Sequence, residues 1–307
     1  MAKEELRKFL ESSNDKFKVL SDVETVKTYQ ITENELLELI NEFLDDEQKV
    51  ALLSVNYIQK PIIKRNIIML IKDESKRLDV IFNKELTNGL ETTDFINIMK
   101  SQSINCILQI LNNAEFLEEN KIGKYRIIDI IKLQNSEVIL RILNDFDLLE
   151  KCKIEDYEIE TLFEKLNEKE KSKFLSNPKY IKEKLKLTEY RIGDMISSIT
   201  DEKTKENLIK SYELSYLKRA DIICNFSDEG KERNILNNTL GLRIYDYYPI
   251  LSKMETDNLI QFINNNPKFL AENNIAIYNI VKKLNVEKQN ELVSKVDNLK
   301  IEMRWKT

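Results

Sequence analysis

The chain has 307 residues, 42% apolar and 33% charged, with a net charge of −5 and no histidine. Five glycines and four prolines leave little material for the turns of a β architecture. The missing histidine removes Ser-His and Cys-His nucleophiles and the usual neutral-pH base, and the acidic balance opposes phosphate binding over the molecule as a whole.

Residues 1–30 carry no repeat, but the run Glu4-Glu5-Leu6-Arg7-Lys8-Phe9-Leu10 predicts a helix that caps the repeats beginning at residue 31. From there onward an apolar pair recurs at Leu39-Ile40, Ile67-Ile68, Phe95-Ile96, Ile130-Ile131, Leu162-Phe163, Met195-Ile196, Ile222-Ile223, Ile250-Leu251 and Ile280-Val281. Three residues beyond each pair stand Phe43, Ile71, Met99, Gln134, Leu166, Ile199, Phe226, Met254 and Leu284. Twelve beyond its second member stand Leu52, Val80, Leu108, Leu143, Leu175, Leu208, Ile235, Ile263 and Val293. Of these 36 sites only Gln134 is polar, whereas composition alone would make about 15 apolar.

Four or five residues after each pair comes Asp45, Asp73, Ser101, Ser136, Asn167, Asp201, Asp228, Thr256 or Asn285, the side chains that cap the N-terminus of a new helix. Each repeat therefore predicts helix A, a tight turn and helix B. The spacing between pairs runs from 27 to 35 residues while this block keeps its length, so the variation falls in the joints. Pro61, Pro178 and Pro267 fall in those joints, where a missing N–H does least harm.

Charge is uneven along the first two repeats. Glu33, Glu35, Glu38, Glu42, Asp45, Asp46 and Glu47 form an acidic block, and beyond it comes a basic one of Lys60, Lys64, Arg65, Lys72, Lys76 and Arg77. Five of these, Lys60, Lys64, Arg65, Lys76 and Arg77, are the candidate basic patch for nucleic acid. Adjacent blocks of opposite sign more often neutralise one another along a solvated face. Cys106, Cys152 and Cys224 are odd in number and lie in apolar helical surroundings, which fits burial rather than redox or metal work. Asp145-Phe146-Asp147 lacks the glycine and ligand spacing of a calcium loop, and Gly123-Lys124 lacks the preceding glycine of a P-loop.

Pro249 stands two residues before a repeat pair, where helix A is already under way in the other repeats. A helix interrupted there predicts an irregular connection over 243–248 that exposes Arg243, Tyr247 and Tyr248, residue types that dominate interfaces. These three are the candidate partner-binding residues. Tyr245 shares a column with Tyr125, Tyr157 and Tyr190, six residues before the pair's second member, so a structural role is expected for it.

The paired-helix repeats resemble HEAT-like repeats, although each is shorter, and the tetratricopeptide and ankyrin signatures are absent. The resemblance implies an all-α fold, a right-handed α-solenoid of about nine helical hairpins with residues 1–30 as its helical cap and 31–307 as the repeat region of a single domain. At 8–10 Å between packed helices it would extend roughly 80 Å. A non-catalytic protein-binding scaffold is the expected function, with charge pointing to an inhibitor or immunity-type protein that occludes a basic effector. The alternatives are a nucleic-acid-binding helical repeat protein and a carboxylate- or metal-dependent enzyme. No cofactor is expected. No apolar run approaches the roughly 20 residues of a membrane span and the N-terminus has no stretch of signal-peptide length, so no membrane partner and a cytoplasmic location are expected.

Overall fold

The computed structural model describes residues 2–295, apart from the side chains of Ala2, Val293 and Ser294. The side chain of Val293, the last of the twelve-beyond positions, and the end of the 31–307 repeat region therefore lie outside what the structure describes. Every described element is helical. The A-helices are Glu33–Phe43, Pro61–Leu70, Thr92–Lys100, Lys124–Lys132, Asp156–Phe163, Glu189–Ser197, Tyr216–Ile223, Ile244–Ser252 and Ile277–Val281. The B-helices are Asp46–Leu52, Glu74–Phe82, Ile104–Asn112, Ser136–Leu143, Glu168–Leu175, Glu202–Tyr212, Asp228–Asn237, Thr256–Asn265 and Val286–Lys295. No helix among the described residues is long and apolar enough to cross a membrane.

Both residues of every apolar pair are buried, from Leu39 and Ile40 to Ile280 and Val281. Adjacent residues sit about 100° apart on a helix, so the pair centres an inward stripe that also takes in the residue one turn earlier, such as Leu36, Ile63, Ile127, Ile192 and Tyr247. Gln134, the polar exception, is half-buried and donates to the Ile130 carbonyl at 3.0 Å, closing the end of its own helix.

The joints vary in length but most end alike. Three residues before an A-helix begins, the backbone is left-handed at Gln30, Gly89, Lys121, Lys153, Lys186, Glu213, Gly241 and Asn274, with φ between 48° and 88°. The next residue is apolar, and Ile122, Ile154, Leu187, Leu214, Leu242 and Ile275 are buried there. At Ile122, Ile154 and Ile275 its N–H reaches back five residues to the carbonyls of Leu117, Leu149 and Leu270. That bond, with a left-handed residue before it, is the Schellman stop for a helix. It ends short helices absent from the predicted hairpins: Ala114–Glu119, Phe146–Lys151 and Pro267–Glu272. Asp145, half of the discounted calcium-like pair, caps the second of these.

Several boundaries differ from the sequence expectation. Asp45, Asp73, Asn167 and Asp201 cap their B-helices as expected, but Ser103, Asn135, Ser227 and Glu255 take the cap position instead of Ser101, Ser136, Asp228 and Thr256. Residues 244–248 are not an irregular connection. Helix Ile244–Ser252 runs through Pro249, and Asp246 closes its first turn by accepting the Arg243 N–H at 2.8 Å. The proline forfeits one hydrogen bond near the helix start, and burial of Tyr247, Ile250 and Leu251 outweighs that loss.

The chain divides into two compact units, residues 1–158 and 159–307, with the division inside helix Asp156–Phe163 and no linker to mark it. In the first unit, successive A-helices pack on one another from Glu33–Phe43 through Pro61–Leu70 and Thr92–Lys100 to Lys124–Lys132. Helix Ala2–Ser12 packs against Glu33–Phe43, and Lys16–Ser21 against Asp46–Leu52. In the second unit the same succession joins Glu189–Ser197, Tyr216–Ile223, Ile244–Ser252 and Ile277–Val281.

An acid at the start of one B-helix and a lysine one turn later tie neighbouring repeats. Asp46 accepts the N–H groups of Lys72 and Asp73, while Lys49 donates to the Leu70 carbonyl. In the second unit Asp228 accepts the Glu255 N–H at 2.8 Å and Lys231 donates to the Lys253 carbonyl at 3.1 Å. Each tie satisfies groups at a helix end that its own helix leaves unpaired.

Candidate functional site

The residues singled out from the sequence fall into two groups, and neither forms the expected surface. Tyr247 is 3% exposed and Tyr248 9%, so both belong to the core rather than to a contact loop. The Tyr247 ring packs 6.0 Å from that of Phe269, and the Tyr248 hydroxyl accepts from the Ala276 N–H and the Asn279 amide at 3.4 Å. Four and three residues before Leu251, they lie about 10° and 110° from the centre of the buried stripe. Only Arg243 of the three is open to solvent.

The basic set does not gather into a patch either. Lys64 is buried and donates to the Asn88 carbonyl at 2.9 Å, with burial pulling its pKa down. Lys60 pairs with Glu33 at 2.6 Å, Arg65 with Asp94 at 3.3 Å, Lys76 with Glu47 at 2.9 Å and Arg77 with Glu74 at 4.0 Å. The acidic block is engaged in the same way: Glu38 pairs with Lys3 and Glu42 with Arg7, fastening helix Ala2–Ser12, while Glu35 closes a capping box with Thr32. The alternating blocks are cross-ties between successive helices.

What the structure does expose is the tyrosine column. Tyr125 is 74% exposed, Tyr190 70% and Tyr245 75%, and Tyr157, Tyr216 and Leu217 are exposed as well. Tyr245 is therefore not the buried structural residue that its repetition implied. The geometry of a helix explains this: six residues at 100° each place the column about 170° from the centre of the buried stripe. Leu217 occupies the same column, six residues before Ile223. Tyr216 precedes it by one, and sequence reasoning missed both.

Cations stand over these rings. In the first unit the Lys124 ammonium lies 5.5 Å from the Tyr157 ring centre and is bound by Glu155 at 3.0 Å and Glu158 at 3.2 Å. Burial works against that charge, but the two carboxylates outweigh it and raise the lysine pKa. In the second unit the Lys218 ammonium lies 4.2 Å from the Tyr190 ring centre and the Arg243 guanidinium 3.1 Å from that of Tyr216. These contacts join Tyr190 with Lys218 and Tyr216 with Arg243 near the N-terminal ends of three packed A-helices, the last of which also exposes Tyr245.

A glycine makes room for Lys218. A Cβ on Gly193 would stand 2.0 Å from Lys218 Cε and 2.6 Å from its Cγ. The lysine stem thus crosses helix Glu189–Ser197 at Gly193, and its ammonium pairs with Asp194 at 2.8 Å. A glycine inside a predicted helix was the available signal for this close approach.

Chemistry is sparse elsewhere. Among the described residues, no group of three or more His, Cys, Asp or Glu side chains could hold a metal ion. Burial pushes the Cys152 thiol up to about 11 and raises those of Cys106 and Cys224, so the nucleophilic thiolate is suppressed at neutral pH. A groove of about 540 Å³ in the first unit is lined by Phe82, Gly89, Phe116 and Glu119, among others, and Lys84 and Glu119 pair at 2.5 Å on its rim. Its lining includes neither serine nor cysteine. Compared with known proteins, the chain matches no protein-family model and no curated protein.

Proposed function

We propose that the protein is a non-catalytic binding scaffold whose contact surface is the part of the tyrosine column in the second unit, with another protein as its partner. The observation that carries this reading is that the same off-core repeat position is aromatic or apolar and exposed at Tyr125, Tyr157, Tyr190, Leu217 and Tyr245. Large exposed aromatics beside Lys and Arg are the composition of interface hot spots. In the second unit Tyr190, Leu217 and Tyr245 recur on successive packed A-helices, which suits a partner that tracks the repeat there. The basic stripe behind the nucleic-acid alternative is paired within the chain, and the acidic block behind the basic-effector refinement is likewise engaged. The tyrosines thus provide the better-supported surface.

The architecture that goes with this function is the one the HEAT-like resemblance implies, a right-handed α-solenoid of about nine hairpins. Small-angle scattering tests it. A globule of this length has a radius of gyration of about 19 Å, whereas a stack roughly 80 Å long gives about 25 Å; a value near the first abandons the solenoid.

The binding surface is tested by affinity capture from the native host with the wild-type chain and a Tyr190→Ala/Tyr245→Ala variant as parallel baits. A protein held by the wild type and reduced at least about tenfold on the variant supports the surface. A partner held equally by both baits moves the contact elsewhere.

A further inference from the structure

We infer that Asn88–Gly89 is a site of spontaneous covalent modification, at which buried Lys64 directs loss of the Asn88 amide toward an isoaspartate linkage. Asn88 is the only asparagine in the chain that glycine follows. The Gly89 nitrogen, once it gives up its proton, bonds to Asn88 Cγ, and the side-chain amide leaves as ammonia, closing an imide ring. Water then adds to either ring carbonyl and breaks the bond from that carbonyl to nitrogen. Attack at the side-chain carbonyl restores the main chain and leaves aspartate. Attack at the α-carbonyl reroutes the chain through Cγ and leaves a free α-carboxylate, which is isoaspartate. Water is the only co-reactant.

The segment leaves ring closure open. Asn88 and Gly89 are exposed in the turn Thr87–Leu90, which the Leu90 N–H closes onto the Thr87 carbonyl at 3.0 Å. Among the described residues neither the Asn88 side-chain amide nor the Gly89 N–H makes a hydrogen bond, so neither has to be released. Bringing the nitrogen onto Cγ requires rotation about the Asn88 Cα–C bond. Beyond its chain neighbours, no atom stands within 4 Å of the place a Gly89 side chain would fill, and glycine itself presents no Cβ to the ring.

Lys64 supplies what an ordinary exposed Asn-Gly pair lacks. It is 1% exposed, and its ammonium donates to the Asn88 carbonyl at 2.9 Å, with no ion pair among the described residues. That oxygen belongs to the peptide that reacts. When the Gly89 nitrogen loses its proton, negative charge spreads onto this oxygen; when water attacks the α-carbonyl, the oxyanion forms on it. A desolvated cation already in place favours both, and favours the α-carbonyl over the side-chain one. The isoaspartate product sets its α-carboxylate against a buried ammonium that had no counterion, which offsets the cost of burying that charge. Arg219 makes the corresponding bond to the Leu240 carbonyl ahead of Gly241, so the bond itself is a feature of the joints. Asn88 adds the carboxamide that can react. The product carries a further negative charge and a longer main chain in the lining of the groove beside Phe82 and Phe116, so aged copies of the protein present an altered groove.

The test incubates the full chain at neutral pH, folded and in urea, and follows tryptic peptide 85–100 by mass spectrometry, with chromatographic separation of its aspartyl and isoaspartyl forms. Asn97, followed by isoleucine inside a helix, is the unreactive reference in the same peptide. In the folded chain residue 88 is expected to convert, with the ratio of isoaspartate to aspartate at least doubled relative to urea. Lys64→Met and Lys64→Gln, checked for folding by circular dichroism, should slow the conversion severalfold and return the ratio to its value in urea. An amide that persists at residue 88 of the folded chain while it is lost in urea overturns the site. The same product ratio in both states overturns the part assigned to Lys64, as does an excess of isoaspartate that survives in both variants. The wild-type comparison decides the matter even where neither variant folds.

Discussion

Tyr245 and Tyr247 are two residues apart in one helix and meet opposite environments, 75% and 3% exposed. A rotation of 200° between them is enough. Tyr247→Ala should cost about 3–5 kcal/mol, since it empties a packed site against Phe269. Tyr245→Ala should change stability by less than about 0.5 kcal/mol. Urea unfolding of the two variants checks this, and equal losses would refute the assignment of faces. The sequence contained the angle that separates them, but a column that repeats suggests core packing until its angle to the apolar stripe is measured. Lys231 makes the complementary point, because an apolar pattern gives no hint of a buried lysine. Its ammonium is held by Asp228 at 2.9 Å and the Lys253 carbonyl at 3.1 Å. Lys231→Met should cost about 1–3 kcal/mol by leaving both acceptors unsatisfied, measured by thermal unfolding; a neutral result would mean that this tie contributes nothing net.

At the scale of elements, the helices and the buried stripe of the A-helices were legible in apolar spacing alone, because burying an apolar face is what holds helices this short in place. The joints were not. Helices such as Ala114–Glu119 and Phe146–Lys151 have six residues, too few for a periodic signature, and their stop signal is a backbone angle rather than a residue type. Glycine marks that angle at Gly89 and Gly241, whereas Lys121, Lys153 and Lys186 adopt it despite a Cβ. Such residues carry about 1 kcal/mol of strain. Replacing Lys153, at φ 54°, with glycine should therefore raise stability by about 0.5–1 kcal/mol. A lowered urea midpoint for Lys153→Gly would show that its side chain contributes more than its strain removes.

For the molecule as a whole, the absence of histidine leaves no side chain with an ordinary pKa between the carboxylates and the thiols. On the acid side, burial alone would raise Asp228, but hydrogen bonds from Asn258, Lys231 and the Glu255 N–H hold it below the usual carboxylate value. Glu206 is likewise lowered against its burial by Arg233 and Asn234. A carboxylate lowered on folding contributes stability above its unfolded value, about 4, and that contribution disappears as pH falls through the folded value. On the alkaline side, burial raises Cys152 to about 11 and Tyr57 to about 12. Groups raised on folding contribute fully below their unfolded values, about 8.5 and 10, and lose that contribution as pH climbs toward the folded ones. Buried Lys64 and Lys205 are pulled down and work in the opposite sense there, offsetting part of the loss. The expected stability curve is flat from about pH 5.5 to 7.5, with losses below about 5 and above about 9. Urea midpoints measured at half-unit intervals check this; a step between pH 6 and 7 would require a titrating group displaced far from its ordinary value, and the carboxylates that tie neighbouring helices would be the first place to look for it.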